Sequence, residues 1–196
     1  MKKLFLVIIL IIVGGLILGL SNKKTVNNPV AILKTNFGDI TLELYADKTP
    51  KTVENFLKLA NEGFYDGTLF HRVIAGFMIQ GGDPNTRLGD PVTFGTGGPG
   101  YTIDDEFVSG LSNVTGTIAM ANIGTANSGG SQFFINVADN TGLDFDKPPS
   151  ESSHPVFGRV INGMDIVMQI SKSPVDSHDL PLTPIRIDRI EKITIN

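Results

Sequence analysis

The sequence predicts a mainly β domain of about eight short strands and two helices, preceded by an N-terminal hydrophobic helix. Three observations lead there. Glycine is frequent, 22 of 196 residues, yet shows no period, and it cuts residues 68–135 into apolar runs of strand length. Apolar and polar residues alternate where the domain begins, the pattern of a strand with one wet face. In only two stretches of the domain does the apolar spacing change to that of a helix. Short strands joined by glycine-rich turns form a closed barrel or a sandwich.

Residues 30–35 and 38–45 read as two strands around a turn at Asn36-Phe37-Gly38. In the second, Ile40, Leu42 and Leu44 alternate with Thr41, Glu43 and Tyr45. Val53, Phe56, Leu57 and Ala60 then fall at i, i+3, i+4 and i+7, a helix stripe. Thr49 suits its N-cap, Pro50 its first position and Gly63 its stop. Val73, Ile74, Phe77, Met78 and Ile79 make one apolar run, read as a single strand segment from Arg72 to Gln80; residues 117–121 and 132–137 make two more. Residues 162–171 place Met164, Val167, Met168 and Ser171 on one side of a second short helix. Ile185, Ile187, Ile190, Ile193 and Ile195 form a closing strand whose spacing slips after Ile187, which predicts a bulge or a bend.

Residues 4–20 are an unbroken run of Leu, Ile, Val, Phe and Gly between two lysine pairs. As a helix the run would span about 26 Å at 1.5 Å per residue, against a hydrocarbon core about 30 Å thick. An uncleaved membrane anchor is favoured over a cleaved signal peptide. The latter has an apolar region of roughly 7–15 residues and an A-x-A-like cleavage site, which Leu18-Gly19-Leu20-Ser21 matches poorly. The expected organisation is an anchor or signal segment over residues 1–20, a polar tether over 21–29, and one domain over 30–196. That domain is expected on the extracytoplasmic side of the membrane, or secreted if the segment is cleaved.

Composition excludes several classes. With no cysteine there is no disulfide scaffold, thiol nucleophile or cysteine-ligated metal. The first 28 residues hold four lysines and no acid, so the rest carries 12 basic against 20 acidic groups, a poor match to nucleic acid. Residues 95–100 match G-x-G-x-x-G, but no helical stripe follows and Pro99 lacks an amide; they read as a turn-rich loop. Gly130-Ser131-Gln132 is no nucleophile elbow, because Phe133 stands where the second glycine belongs. His71, His154 and His178 lack ligand-like spacing, so no metal site is expected, and His71 reads as a buried, hydrogen-bonded histidine. Asn113-Val114-Thr115 is a glycosylation sequon.

The sharpest signal is residues 70–83, Phe-His-Arg-Val-Ile-Ala-Gly-Phe-Met-Ile-Gln-Gly-Gly-Asp. It puts one permanent cation, two large apolar side chains and an amide in one short segment. By itself it is also readable as an ordinary core strand with an edge arginine. The segment resembles the cyclophilin family of peptidyl-prolyl isomerases. So do Ile118-Ala119-Met120-Ala121-Asn122, Gly130-Ser131-Gln132-Phe133-Phe134-Ile135 and Pro155-Val156-Phe157-Gly158-Arg159-Val160, in the same order and spacing along nearly all of residues 30–195.

The resemblance implies an eight-stranded antiparallel closed barrel capped by two α-helices, acting without metal or other cofactor. It implies that Arg72 is the catalytic cation, assisted by Phe77 and Gln80. It further implies that Phe77, Met78, Phe134 and Leu143 wall a proline pocket, and that Gln80, Ala121, Asn122, Gln132 and His154 bind substrate. The expected partners are proline-containing segments of unfolded or exported proteins, together with the membrane through residues 4–20; no nucleic acid partner is expected, and the chain is expected to be a monomer. A non-catalytic module holding proline segments in the same groove is the alternative. One position departs from the family pattern: an aromatic usually precedes the Leu-Asp pair that is Leu143-Asp144 here, and this chain has Gly142. The loop after it, residues 145–153, is also longer than in minimal members. That puts the family's response to its cyclic-peptide inhibitor, cyclosporin, in question.

Overall fold

A computed structural model describes residues 28–87, 89–147 and 153–193. The architecture is mainly β, with eight antiparallel strands in one curled sheet and two helices. The strands are β1 (Val30–Thr35), β2 (Gly38–Leu44), β3 (Arg72–Ile74), β4 (Met78–Gly81), β5 (Thr117–Met120), β6 (Phe133–Asn136), β7 (Val156–Asn162) and β8 (Ile187–Ile193). Helix α1 (Pro50–Asn61) follows β2, and α2 (Met164–Ile170) follows β7. Across the sheet the order is β3-β4-β6-β5-β7-β2-β1-β8.

The expected closed barrel is not formed: the sheet is a curled half-barrel whose end strands do not pair. The seam holds one isolated bridge, Leu69 to Arg186, flanked by hydrogen bonds from Phe70 N–H to the Ile185 carbonyl (2.9 Å) and from Ile187 N–H to the Thr68 carbonyl (2.8 Å). Closure stops there because β3 turns its outer edge to a loop instead. Val73 N–H donates to the Asp179 carbonyl (2.9 Å), so this edge is covered without β8.

A second correction concerns residues 72–80. They are two strands of a hairpin, not one strand. Phe77 N–H donates to the Ile74 carbonyl (3.1 Å), and the turn needs Gly76 at φ +72°, where side chains are disfavoured. The segment conceals its turn because apolar residues stand on both sides of that glycine.

Helix α1 buries Val53, Phe56, Leu57 and Ala60 as its spacing predicts, opens on Pro50 and ends before Gly63 at φ +68°. Thr49 does not cap it through its side chain; its hydroxyl donates to the Tyr45 carbonyl. The cap comes from far along the chain. Glu106 accepts the amides of Lys51 (3.2 Å) and Thr52 (2.7 Å) and the Thr52 hydroxyl (2.8 Å). Helix α2 is shorter than predicted and buries Val167 and Ile170, with Ser171 at its end. The bulge predicted in β8 is present: Lys34 pairs with Arg189 but Thr35 with Ile187, leaving Asp188 as the extra residue.

The predicted hydrophobic helix over residues 4–20 lies outside the described residues. Among the described residues, no helix is long and apolar enough to cross a membrane.

Candidate active site

Side-chain alternation gives the sheet two faces. From β3 to β7, Val73, Ile79, Ile118, Phe133, Ile135 and Phe157 enter the main core. Their chain neighbours point the other way. There Met78, Ala119, Phe134 and Val156 form a second apolar cluster, edged by Ile74, Phe77, Leu111, Ala121 and Leu143. Strand register draws a row across this face. Arg72 faces Gln80, Gln80 faces Phe134, Phe134 faces Ala119, and Ala119 faces Val156. The row begins with a cation and an amide and ends in an apolar floor.

A cavity of about 740 Å³ opens over it, lined by Arg72, Phe77, Met78, Gln80, Ala121, Asn122, Phe134, Leu143 and His154 among others. On one continuous strand Phe77 and Met78 would face opposite ways; the turn at Gly76 frees Phe77 from the pleat, so both line the cavity. Of the site residues named from the sequence, Gln132 alone lies outside this lining. It lines an adjoining cavity of about 400 Å³ that shares Gln80, Ala121 and Asn122.

Residues 30–192 match the family described as cyclophilin type peptidyl-prolyl cis-trans isomerase/CLD. The chain belongs to the cyclophilin family. It is 38% identical over 190 residues to a peptidyl-prolyl cis-trans isomerase of Acinetobacter baylyi, covering 95% of each chain. It is 42% identical over 161 residues to peptidyl-prolyl cis-trans isomerase-like 1 of Neurospora crassa, covering 79% of this chain and 88% of that one. Among solved structures it is similar to a cyclophilin type isomerase of Cryptosporidium parvum, at TM-score 0.75 and 32% identity, over 86% of this chain and 99% of that one. A second structure of the same protein was determined in the presence of the dipeptide Ala-Pro. This cyclophilin is a peptidyl-prolyl cis-trans isomerase, and the non-catalytic alternative is not favoured.

Hydrogen bonds hold the cyclophilin cavity in shape. Gln80 Nε2 donates to Gln132 Oε1 (2.9 Å), and Gln132 Nε2 donates to the carbonyls of Gly95 (2.9 Å) and Gly97 (2.8 Å). Residues 95–100 are thus a loop held to the residue that precedes β6, and no helix directly follows them. Gly97 is required there, since a Cβ would fall 2.0 Å from Asp83 Oδ1. The Asn122 side chain serves the protein itself: Nδ2 donates to the Ser153 carbonyl (2.7 Å), and Oδ1 accepts from Gly124 N–H (3.0 Å). His154 stands edge-on to Phe134, with ring centroids 5.2 Å apart, and its Nδ1 lies 3.0 Å from the Met120 carbonyl. That contact requires the proton on Nδ1. Burial holds the His154 pKa below the ordinary imidazole range, so the ring is neutral near pH 7 with Nε2 as an acceptor.

His71 departs from expectation. It is buried, 5% exposed, but neither ring nitrogen makes a hydrogen bond of good geometry among the described residues. Its polar neighbours are engaged elsewhere, Asp83 by the amides of Asn85 and Gly95, and Gln132 as above. Burial lowers its pKa, against the opposing pull of the Asp83 carboxylate.

Sequence reasoning missed part of this site. Asn113 is 1% exposed, so its sequon is closed to modification in the folded domain. Its side-chain amide reaches Asp144 Oδ1 (3.1 Å) and the His154 carbonyl (3.1 Å), clamping the Leu143 loop to the segment that leads into β7. Pro91, Val92, Phe94, Asp176, His178 and Leu180 also line the cavity, and no motif marks them. At Gly142 a Cβ would meet nothing within 4 Å. Phe145 does not replace the missing aromatic; it stacks on Phe107 with centroids 5.4 Å apart.

Proposed function

We propose that the cavity over β3, β4 and β6 is where the X–Pro bond turns, and that Arg72 drives the turn. Resonance gives the planar amide a rotation barrier of about 18–20 kcal/mol. In the twisted state conjugation is lost and the prolyl nitrogen carries a free lone pair. An N–H of Arg72 bonds that nitrogen better than the planar one, which is differential stabilisation of the transition state. Arginine remains charged at any working pH and offers a planar fork of donors. Met78, Phe134, Phe77 and Leu143 hold the proline ring and exclude water, strengthening the hydrogen bond. Gln80 steadies the substrate backbone beside Arg72. The Asn122 side chain is engaged within the loop, so its backbone is the part that meets substrate. Lowering the barrier by about 7 kcal/mol gives a factor of about 10⁵, with no covalent intermediate required.

The observation that carries this reading is the cross-strand row, which sets Arg72 and Gln80 at the edge of the apolar floor of Phe134 and Val156. Its test is an Arg72→Ala variant in a proline-peptide isomerisation assay. Most activity should be lost while the melting temperature holds, because Arg72 is half exposed and stabilises little. Lysine should restore little, since an ammonium cannot reproduce the fork. Near-normal turnover by Arg72→Ala would sink the mechanism.

The natural clients are proline-containing segments of exported proteins. Residues 4–20 anchor the chain in a membrane, with the domain on the extracytoplasmic side, where slow X–Pro isomerisation limits folding. What supports this is the apolar run between lysine pairs.

A further inference from the structure

One wall of the cavity comes from a loop that no sequence motif marks. Asp176 folds it. Oδ1 accepts the amides of His178 (2.8 Å) and Leu180 (3.0 Å), while Asp176 N–H donates to the Leu180 carbonyl (2.9 Å). Asp179 stands at the tip with φ +63°, a left-handed conformation that glycine adopts freely and other residues at a cost. Two contacts run from this one residue to β3. Its carbonyl accepts Val73 N–H (2.9 Å), and its Oδ2 lies 3.5 Å from Nε of Arg72. A single residue of the loop therefore meets the backbone beside Arg72 by a hydrogen bond and the Arg72 side chain by an ion pair.

We infer that Asp179 is a positioning residue for Arg72, fixing the guanidinium at Nε so that its terminal nitrogens face the twisted amide. This rests on the reading of Arg72 given above. A guanidinium has five N–H donors; pairing at Nε leaves the four on Nη1 and Nη2 for substrate. Both side chains are near half exposed, 46% for Arg72 and 41% for Asp179, so the pair adds little to stability. Its effect is on orientation: a long, half-exposed side chain samples many rotamers, and a donor acts in the transition state only when already aimed. Aspartate is among the residues that tolerate this left-handed conformation, and here its carboxylate reaches Arg72.

The test uses the full chain with Asp179→Asn and Asp179→Gly. Asparagine keeps the shape without the charge, and glycine also relieves the backbone. In both, kcat should fall about tenfold with KM little changed, while the melting temperature holds for asparagine and holds or rises for glycine. On an Arg72→Ala background, Asp179→Asn should lower turnover no further. Turnover within about twofold of the natural chain in both variants, with Arg72→Ala inactive, would overturn the inference and leave the role of Arg72 standing. An active Arg72→Ala would overturn both. Losses of turnover matched by losses of melting temperature in both variants would assign Asp179 to structure alone and overturn the inference.

Discussion

Arg72 and Gln80 stand side by side because a hairpin folds them face to face, and Gln80 meets Phe134 because β4 pairs with β6. Each of these side chains was legible as chemistry in the sequence; their alignment in a row was not. Gly142 shows how one residue changes a site without disturbing it. It lies in the exposed turn before Leu143, a Cβ there meets open space, and Phe145 is held against Phe107. The rim therefore lacks the aromatic surface usual in the family. Losing an aromatic contact in a binding site costs on the order of 2 kcal/mol, roughly a thirtyfold weaker complex. Small proline peptides are expected to rest on the deeper floor of Met78 and Phe134, so their turnover should suffer less. The expected result is an active enzyme only weakly inhibited by cyclosporin. Gly142→Trp should tighten inhibition more than it raises turnover, as read by inhibition titrations on both forms. Tight inhibition of the natural sequence would show that another residue supplies the rim.

At the scale of elements, α1 is the most legible piece, because its stripe repeats within four turns and needs no distant partner. Its cap is less legible for the opposite reason: Thr49 stands at the N-cap position, but its side chain bonds no helix amide. The first turn has no acid of its own, and Glu106 supplies one from a loop far along the chain. Glu106→Ala removes the acceptor of two helix amides and the buried Thr52 hydroxyl. The expected loss is about 1–2 kcal/mol in urea unfolding, a drop of a few degrees in melting temperature for a domain of this size. An unchanged unfolding midpoint would mean that the helix end is satisfied otherwise. The β3–β4 hairpin was illegible because one glycine within an apolar run does not break the pattern of a strand. Pairing with β3 and with β6 shows where β4 begins.

For the whole molecule, the distribution of charge and apolar residues leads to a prediction about place. The full chain should fractionate with membranes, and residues 29–196 alone with the aqueous phase. Protease added outside cells stripped of any outer envelope should degrade the domain. Protection would reverse the orientation, and a mature chain beginning near Ser21 would mark residues 4–20 as a cleaved signal. The curled sheet joins the two ends of the domain, with β1 beside β8 and residues 67–70 bridged to residues 185–187. The outer edge of β3 is covered by the loop of Asp179 rather than by a strand ladder, and that same loop reaches Arg72.

The sequence by itself determined the mainly β class, both helices in the domain, the bulge in β8 and nine of the side chains that line the cavity. These follow from local periods, from residue chemistry and from motif resemblance, none of which needs the chain to meet itself at a distance. The tertiary structure alone decided that the barrel stays open, that residues 72–80 are a hairpin, that Glu106 caps α1, that Asn113 is buried and that Asp179 holds Arg72. Apart from the hairpin turn, these rest on how residues separated by long stretches of chain meet. A backbone amide or a guanidinium takes whichever acceptor folding brings within reach, and sequence spacing carries no record of that choice.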